Sequence, residues 1–166
     1  MPVPDFVSVL RQKIGHDLLW LPGVGAVVFD DDGRVLLGRR ADDGRWTIIT
    51  GMVEQHEDPA PAAVREVEEE SGVVVDVEHL IDVHVSGPIT FPNGDQCSFL
   101  TTVFRCRYLS GQARVNDDES TDVGWFSVDE LPELDALHSG LIHLAKSATG
   151  VPRFQRTMPA AAASLP

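Results

Sequence analysis

Glu66, Glu69 and Glu70 lie in the run Arg65-Glu66-Val67-Glu68-Glu69-Glu70. Residues three and four apart share one side of a helix, so these three side chains would converge if the run is helical. Like charges stacked in this way repel by roughly a few tenths of a kcal/mol per pair. A sequence that stacks them therefore points to a divalent cation, and hard carboxylate oxygens suit Mg²⁺ or Mn²⁺. The run also sits in a longer spaced pattern: Gly51, five residues, Glu57, seven residues, then Arg65 through Val73, with Gly72 just before its end.

The element that must position these carboxylates is a helix over 59–71. Ala60, Ala63, Val64 and Val67 make an apolar stripe opposite the carboxylates, which would seat the helix on a sheet and leave Glu66, Glu69 and Glu70 facing a cleft. Asp58-Pro59 reads as a cap followed by a first-turn proline, and Gly72 as the stop. Arg65, four residues before Glu69, is expected to hold that carboxylate while Glu66 and Glu70 stay free for metal. Gly51 stands where a strand turns into the loop before the helix, and a side chain there would collide with substrate or metal. An isolated Glu-rich run is most often a solvated helix face, but Gly51, Glu57, Arg65 and Gly72 in register with it argue against that reading.

The segment resembles the Nudix box, written G-x5-E-x7-R-E-U-x-E-E-x-G-U with U a bulky aliphatic, and it meets every fixed position. It departs from the common form only upstream, with Thr50-Gly51-Met52 where relatives often carry Pro-Gly-Gly. The resemblance implies an α/β fold, an α/β/α sandwich around a mixed central sheet, and hydrolysis of a nucleoside diphosphate linked to another group, X. Its implied catalytic set is Glu66, Glu69, Glu70, Glu119 and Arg65, and its implied metal set is Glu66, Glu69, Glu70, Glu119 and Glu57, with Mg²⁺ or Mn²⁺ as cofactor. Glu119 enters because it stands six residues before Trp125, as a metal-binding or basic glutamate does in MutT-type relatives. Water would attack one phosphorus of a P–O–P bridge, with Glu66 or Glu119 as the base.

Substrate signals are thinner. Pro88, fifteen residues beyond the box, resembles a marker of ADP-ribose hydrolases and places ADP-ribose or a similar sugar nucleotide slightly ahead of nucleoside triphosphates. Trp46, Phe91 and Trp125 are either base-stacking groups or core. A nucleotide-binding domain without hydrolysis would be expected to lose box carboxylates, and an isomerase of the isoprenoid diphosphate branch to carry a catalytic cysteine; neither feature is found. Homodimers are common among relatives, which makes that state one the resemblance allows.

The remainder agrees with a single domain over 1–150. The 166-residue chain has 43% hydrophobic and 23% charged residues, an ordinary balance for one globular core. Its net charge of −13 disfavours nucleic-acid binding. Positive charge gathers just upstream of the box at Arg34, Arg39, Arg40 and Arg45; Arg39 or Arg40, with Gly51, would line the substrate site. No apolar run approaches the ~18 residues of a membrane span, and no secretion signal is visible, so a cytoplasmic protein acting on a small nucleotide is expected. Cys97 and Cys106, on one strand, would lie roughly 30 Å apart and read as buried apolar residues. Periodicity predicts a short helix over 6–14, strands over 24–29, 35–37, 46–50, 73–85, 98–108 and 123–127, a helical turn at 129–131 and a last helix over 140–147. The tail from Gly150 has little to bury and is expected to be mobile or weakly docked.

Overall fold

A computed structural model of the protein describes residues 5–91 and 93–154. Its central element is strand β1 (Leu19–Phe29), in which Val24, Ala26 and Val28 pack on one face and Val27 and Phe29 on the other. Side chains alternate along a strand, so a run apolar at nearly every position is buried on both faces.

Around it lie β2 (Val35–Arg40), β3 (Trp46–Thr47), β4 (Ile49–Met52), β5 (Val73–Thr90), β6 (Gln96–Gly111), β7 (Ser120–Phe126) and β8 (Arg153–Phe154). The sheet runs in the order β3-β2-β1-β6-β5-β8, with β4 added to β1 and β7 to β2. It is mixed: β1 and β6 are parallel from Leu19↔Cys97 to Phe29↔Arg107, whereas β1–β4, β2–β7 and β5–β6 are antiparallel. Helix α2 (Pro59–Ser71) covers one face through Ala62, Ala63 and Val67, and α3 (Ala136–Lys146) covers the other through Leu141, Ile142 and Ala145. Helix α1 (Asp5–Ile14) closes the end of the sheet over Leu19, Leu21 and Cys97. The result is the expected α/β/α sandwich.

Several elements run longer than their periodicity indicates. β5 and β6 extend to a hairpin whose turn includes the Phe91–Asp95 hydrogen bonds, and α3 begins at Ala136 because Asp135 caps it by accepting from His138 N–H. The strand anticipated over 46–50 divides at Ile48: β3 pairs with β2 and β4 with β1. Asp58 has the extended backbone of a cap, but its side chain makes no capping bond, so that expectation holds for the backbone alone. Both cysteines are buried and unbonded to one another. Of the tail from Gly150, Arg153 and Phe154 add to β5 at Asp82 and Val83, and Arg153 donates to the buried Asp82 carboxylate at 2.9 Å; 155–166 lie outside the described residues. Among the described residues, no helix is long and apolar enough to cross a membrane.

Candidate active site

Helix α2 lies across β4 with its carboxylates distributed unequally. Glu66 and Glu70 are buried, at 1% and 7% exposure, while Glu69 is open to solvent. The apolar stripe and the two buried glutamates therefore share the sheet-facing side, a correction to the opposed faces expected from sequence. Helical geometry permits this because Ala62, Ala63 and Val67 are short, which leaves room beside them for two longer side chains.

Gly51 explains itself at this contact. A Cβ built on Gly51 would overlap the carboxyl group of Glu66, so the glycine makes space for a carboxylate of the chain itself, where sequence suggested room for substrate or metal. Glu70 reaches the next strand: its Oε2 lies 3.9 Å from where a Gly38 Cβ would stand, beside the Ser120 hydroxyl.

Arg65 organises the cluster more widely than an i,i+4 pair. Its Nε and Nη2 donate to the two oxygens of Glu57, each at 2.9 Å. Nη1 is shared between Glu66 Oε1 at 2.9 Å and Glu69 Oε2 at 3.1 Å, and Nη2 also donates to the Met52 carbonyl at 3.0 Å. Arg65 does hold Glu69, but Glu66 is not left free as expected: the planar fork holds Glu57 bidentately and bridges Glu66 to Glu69. Arg65 in turn holds the Glu57 carboxyl below its usual range. Beside Glu57, His56 adopts a left-handed backbone at φ 68° with its side chain exposed.

Burial dominates the electrostatics of the inner pair. It pushes the Glu66 carboxyl up to about 7 against the pull of Arg65, and the Glu70 carboxyl up to about 8, with Glu66 and Asp117 adding repulsion. Glu70 Oε1 is buried with no hydrogen-bond partner among the described residues. Among the described residues, no group of three or more His, Cys, Asp or Glu side chains stands ready to hold a metal ion. A hard divalent cation nonetheless fits the donors present: two desolvated carboxylates, one with a buried oxygen that no described residue satisfies, gain most from a positive charge.

The other predicted residues divide by face. Arg40 lies on the α2 side, where Glu70 contributes to raising its pKa, and pairs with Asp42 at 2.5 Å. Arg39 is exposed, donates to the Gly44 carbonyl and has no ion-pair partner among the described residues. Glu119 is half-buried just before β7, next to Ala41, whose N–H donates to its carbonyl at 2.7 Å. Trp46 and Trp125 make edge-on contacts with Phe126 and Tyr108, and with Phe91 they pack against the core clusters. Pro88 is exposed on β5. Sequence reasoning missed Asn116, which bonds to the end of α2; a lone asparagine before an acidic run carries no signature of such a contact.

Comparison with known proteins points to one family. The family model described as NUDIX domain matches residues 19–145. A MutT-like protein of Streptomyces ambofaciens is 37% identical over 110 residues, 66% of this chain and 66% of the relative. The NAD-capped RNA hydrolase NudC of Pseudomonas aeruginosa is 37% identical over 113 residues, 66% of this chain but 37% of the relative. The chain thus spans just under two thirds of the first relative and little more than a third of the second. Among solved structures, an ADP-ribose pyrophosphatase from Streptococcus suis is 25% identical with a TM-score of 0.63, covering 81% of this chain and 98% of that one.

Proposed function

The chain belongs to the NUDIX domain family, and from that premise we propose that it is a pyrophosphohydrolase cleaving the diphosphate bridge of a nucleoside diphosphate linked to X, with ADP-ribose or a similar sugar nucleotide as the favoured substrate. The observation that carries the reading is the buried pair Glu66 and Glu70, of which Glu66 is bridged through Arg65 to Glu69 and Glu57. Such a pair is costly to desolvate and gives no packing benefit that a leucine would not give.

Mg²⁺ or Mn²⁺ held by Glu66, Glu69 and Glu70, with Glu119 or Glu57 completing the set, would supply positive charge against the phosphate oxygens and the developing negative charge. The protein supplies the rest. Arg65 keeps Glu66 oriented from the strand side by its simultaneous bond to the Met52 carbonyl. Arg40, on the same side, can exchange Asp42 for a phosphate oxygen, since a guanidinium fork fits both. Water attacks one phosphorus, its proton passes to Glu66 or Glu119, and the bridging P–O bond breaks with its electrons leaving on the second phosphate.

The ADP-ribose preference is supported by the ADP-ribose pyrophosphatase among the structural neighbours and by the place of Pro88. A net charge of −13 argues for a small nucleotide rather than a long RNA substrate. The test is product release from a panel of nucleoside diphosphate-X compounds and triphosphates with Mg²⁺, Mn²⁺ or EDTA. We expect cation-dependent cleavage of ADP-ribose, lowered at least about 10²-fold in Glu70→Gln. Wild-type turnover in that variant at saturating cation would sink the assignment, and cleavage of triphosphates alone would replace the substrate class.

A further inference from the structure

We infer that Asn116 is a positioning residue of this site, clasping the C-terminal turn of α2 so that the acidic loop of residues 112–119 is held against the carboxylates of the helix. The inference rests on the proposed reading of those carboxylates as a cation site. It starts from a requirement of every helix: the last four carbonyls lack partners within the helix and must find them elsewhere. At the end of α2 a distant loop provides them. The side-chain amide of Asn116 donates to the carbonyls of Glu68 and Glu69, each at 3.1 Å, and its backbone N–H donates to the Glu70 carbonyl at 3.2 Å. Arg114 N–H takes the Ser71 carbonyl at 3.0 Å. One short segment thus satisfies four successive carbonyls, Glu68 to Ser71, two of them belonging to the proposed cation ligands Glu69 and Glu70.

The clasp is itself braced. Arg114 Nη2 donates to Asn116 Oδ1 at 2.9 Å, which orients the amide so that its nitrogen faces the helix. The same guanidinium lies over Gly72, with Nη1 at 2.8 Å from where a Cβ would stand. On the other side of Asn116 the chain continues directly into Asp117 and Glu119. Asp117 is close enough to Glu70 to repel its charge, and its Oδ1 accepts from Glu119 N–H at 3.0 Å. The contact therefore sets the distance between the carboxylates of α2 and those of the loop, which come from segments 48 residues apart in the chain. Asn116 touches no substrate in this account; it acts through Glu69, Glu70 and Asp117.

The experiment uses the full chain and Mn²⁺ alone as probe, with binding read by electron paramagnetic resonance and stability by thermal melting. Asn116→Ala removes the side-chain amide that donates to the Glu68 and Glu69 carbonyls and leaves the backbone N–H bond to Glu70 in place. Ser147→Ala is the comparison, because the Ser147 hydroxyl donates to the carbonyls of His143 and Leu144 at the end of α3 and so caps a helix in the same way, with no acidic loop attached. Residues that orient metal ligands typically change affinity or activity by about 10- to 100-fold when lost. We expect a loss of Mn²⁺ affinity in that range for Asn116→Ala and none for Ser147→Ala, with similar small falls in melting temperature. If the alanine variant does not fold, the near-isosteric Asn116→Leu carries the same expectation. Wild-type Mn²⁺ affinity in a folded Asn116 variant would overturn the inference and leave a plain helix cap. A wild-type chain that binds no Mn²⁺ would overturn the cation-site reading, and this one with it.

Discussion

Glu66 and Glu70 differ from every other carboxylate of α2 in being pressed against the sheet, and their chemistry follows from that position. Desolvation favours the neutral form, so in the cation-free protein their pKa values stand at about 7 and about 8, above the usual 4.5. A raised folded-state pKa means that the folded form binds protons more tightly than the unfolded chain. The pair's contribution to stability is therefore fully present below pH 4.5 and is lost as pH rises through about 7 and 8. Cation binding requires the ionised forms, so Mn²⁺ affinity should rise across the same window. We expect the melting temperature with EDTA to decline from pH 6 to 8.5 and to recover with Mn²⁺, most at the alkaline end. Affinity that is flat with pH would show that these two carboxylates are not the ligands. The sequence identified both residues through their spacing with Arg65 and Gly72. It was silent on their burial, which depends on α2 lying across β4 with the Glu66 carboxyl over Gly51.

At the scale of elements, α2 is both well written in the sequence and completed from outside it. Its bounds, Pro59–Ser71, coincide with the helix read from 59–71, because first-turn proline, apolar spacing and terminal glycine are local signals. Gly72 has φ 67° and donates to the Glu68 carbonyl, a left-handed close that costs other residues about 1–2 kcal/mol. Gly72→Ala should lower the unfolding free energy by about that amount, and it should also displace the Arg114 guanidinium above it. Urea denaturation checks this, and an unchanged midpoint would show that Arg114 and the backbone yield freely. The strand bounds were less legible. β5 and β6 are stabilised chiefly by each other over long registers, and pairing of that kind extends strands beyond the residues whose local pattern announces them.

For the molecule as a whole, a net charge of −13 must coexist with the anionic substrate proposed for it. The described ion pairs consume much of the positive charge upstream of the box: Arg34 pairs with Asp30, Arg40 with Asp42 and Arg45 with Asp43, leaving Arg39 without such a partner. Long-range repulsion should therefore dominate the approach of a nucleotide, and salt screens it over a length of about 10 Å at 0.1 M. At saturating Mg²⁺ we expect kcat/KM to rise between about 0.02 and 0.2 M KCl. A fall would mean that the arginines near the site, rather than the net charge, govern encounter.

The sequence by itself determined the family, the sandwich of helices on a mixed sheet, the helix that carries the carboxylates and the residue types available for cation and phosphate chemistry. The helix and the residue types are read from spacing within one or two turns, where neighbours in the chain are neighbours in space, and the sandwich follows from the family that this spacing resembles. Only the tertiary structure decided that Glu66 and Glu70 are buried while Glu69 is open, that Arg65 holds Glu57 and Met52 as well as its helical neighbours, that Arg40 lies beside Glu70, and that Asn116 closes the helix. Each of these is set by where a loop or strand crosses α2. The contact from Met52 to Arg65 spans 13 residues and that from Glu68 to Asn116 spans 48, separations at which sheet packing, and no local periodicity, fixes which side chains meet.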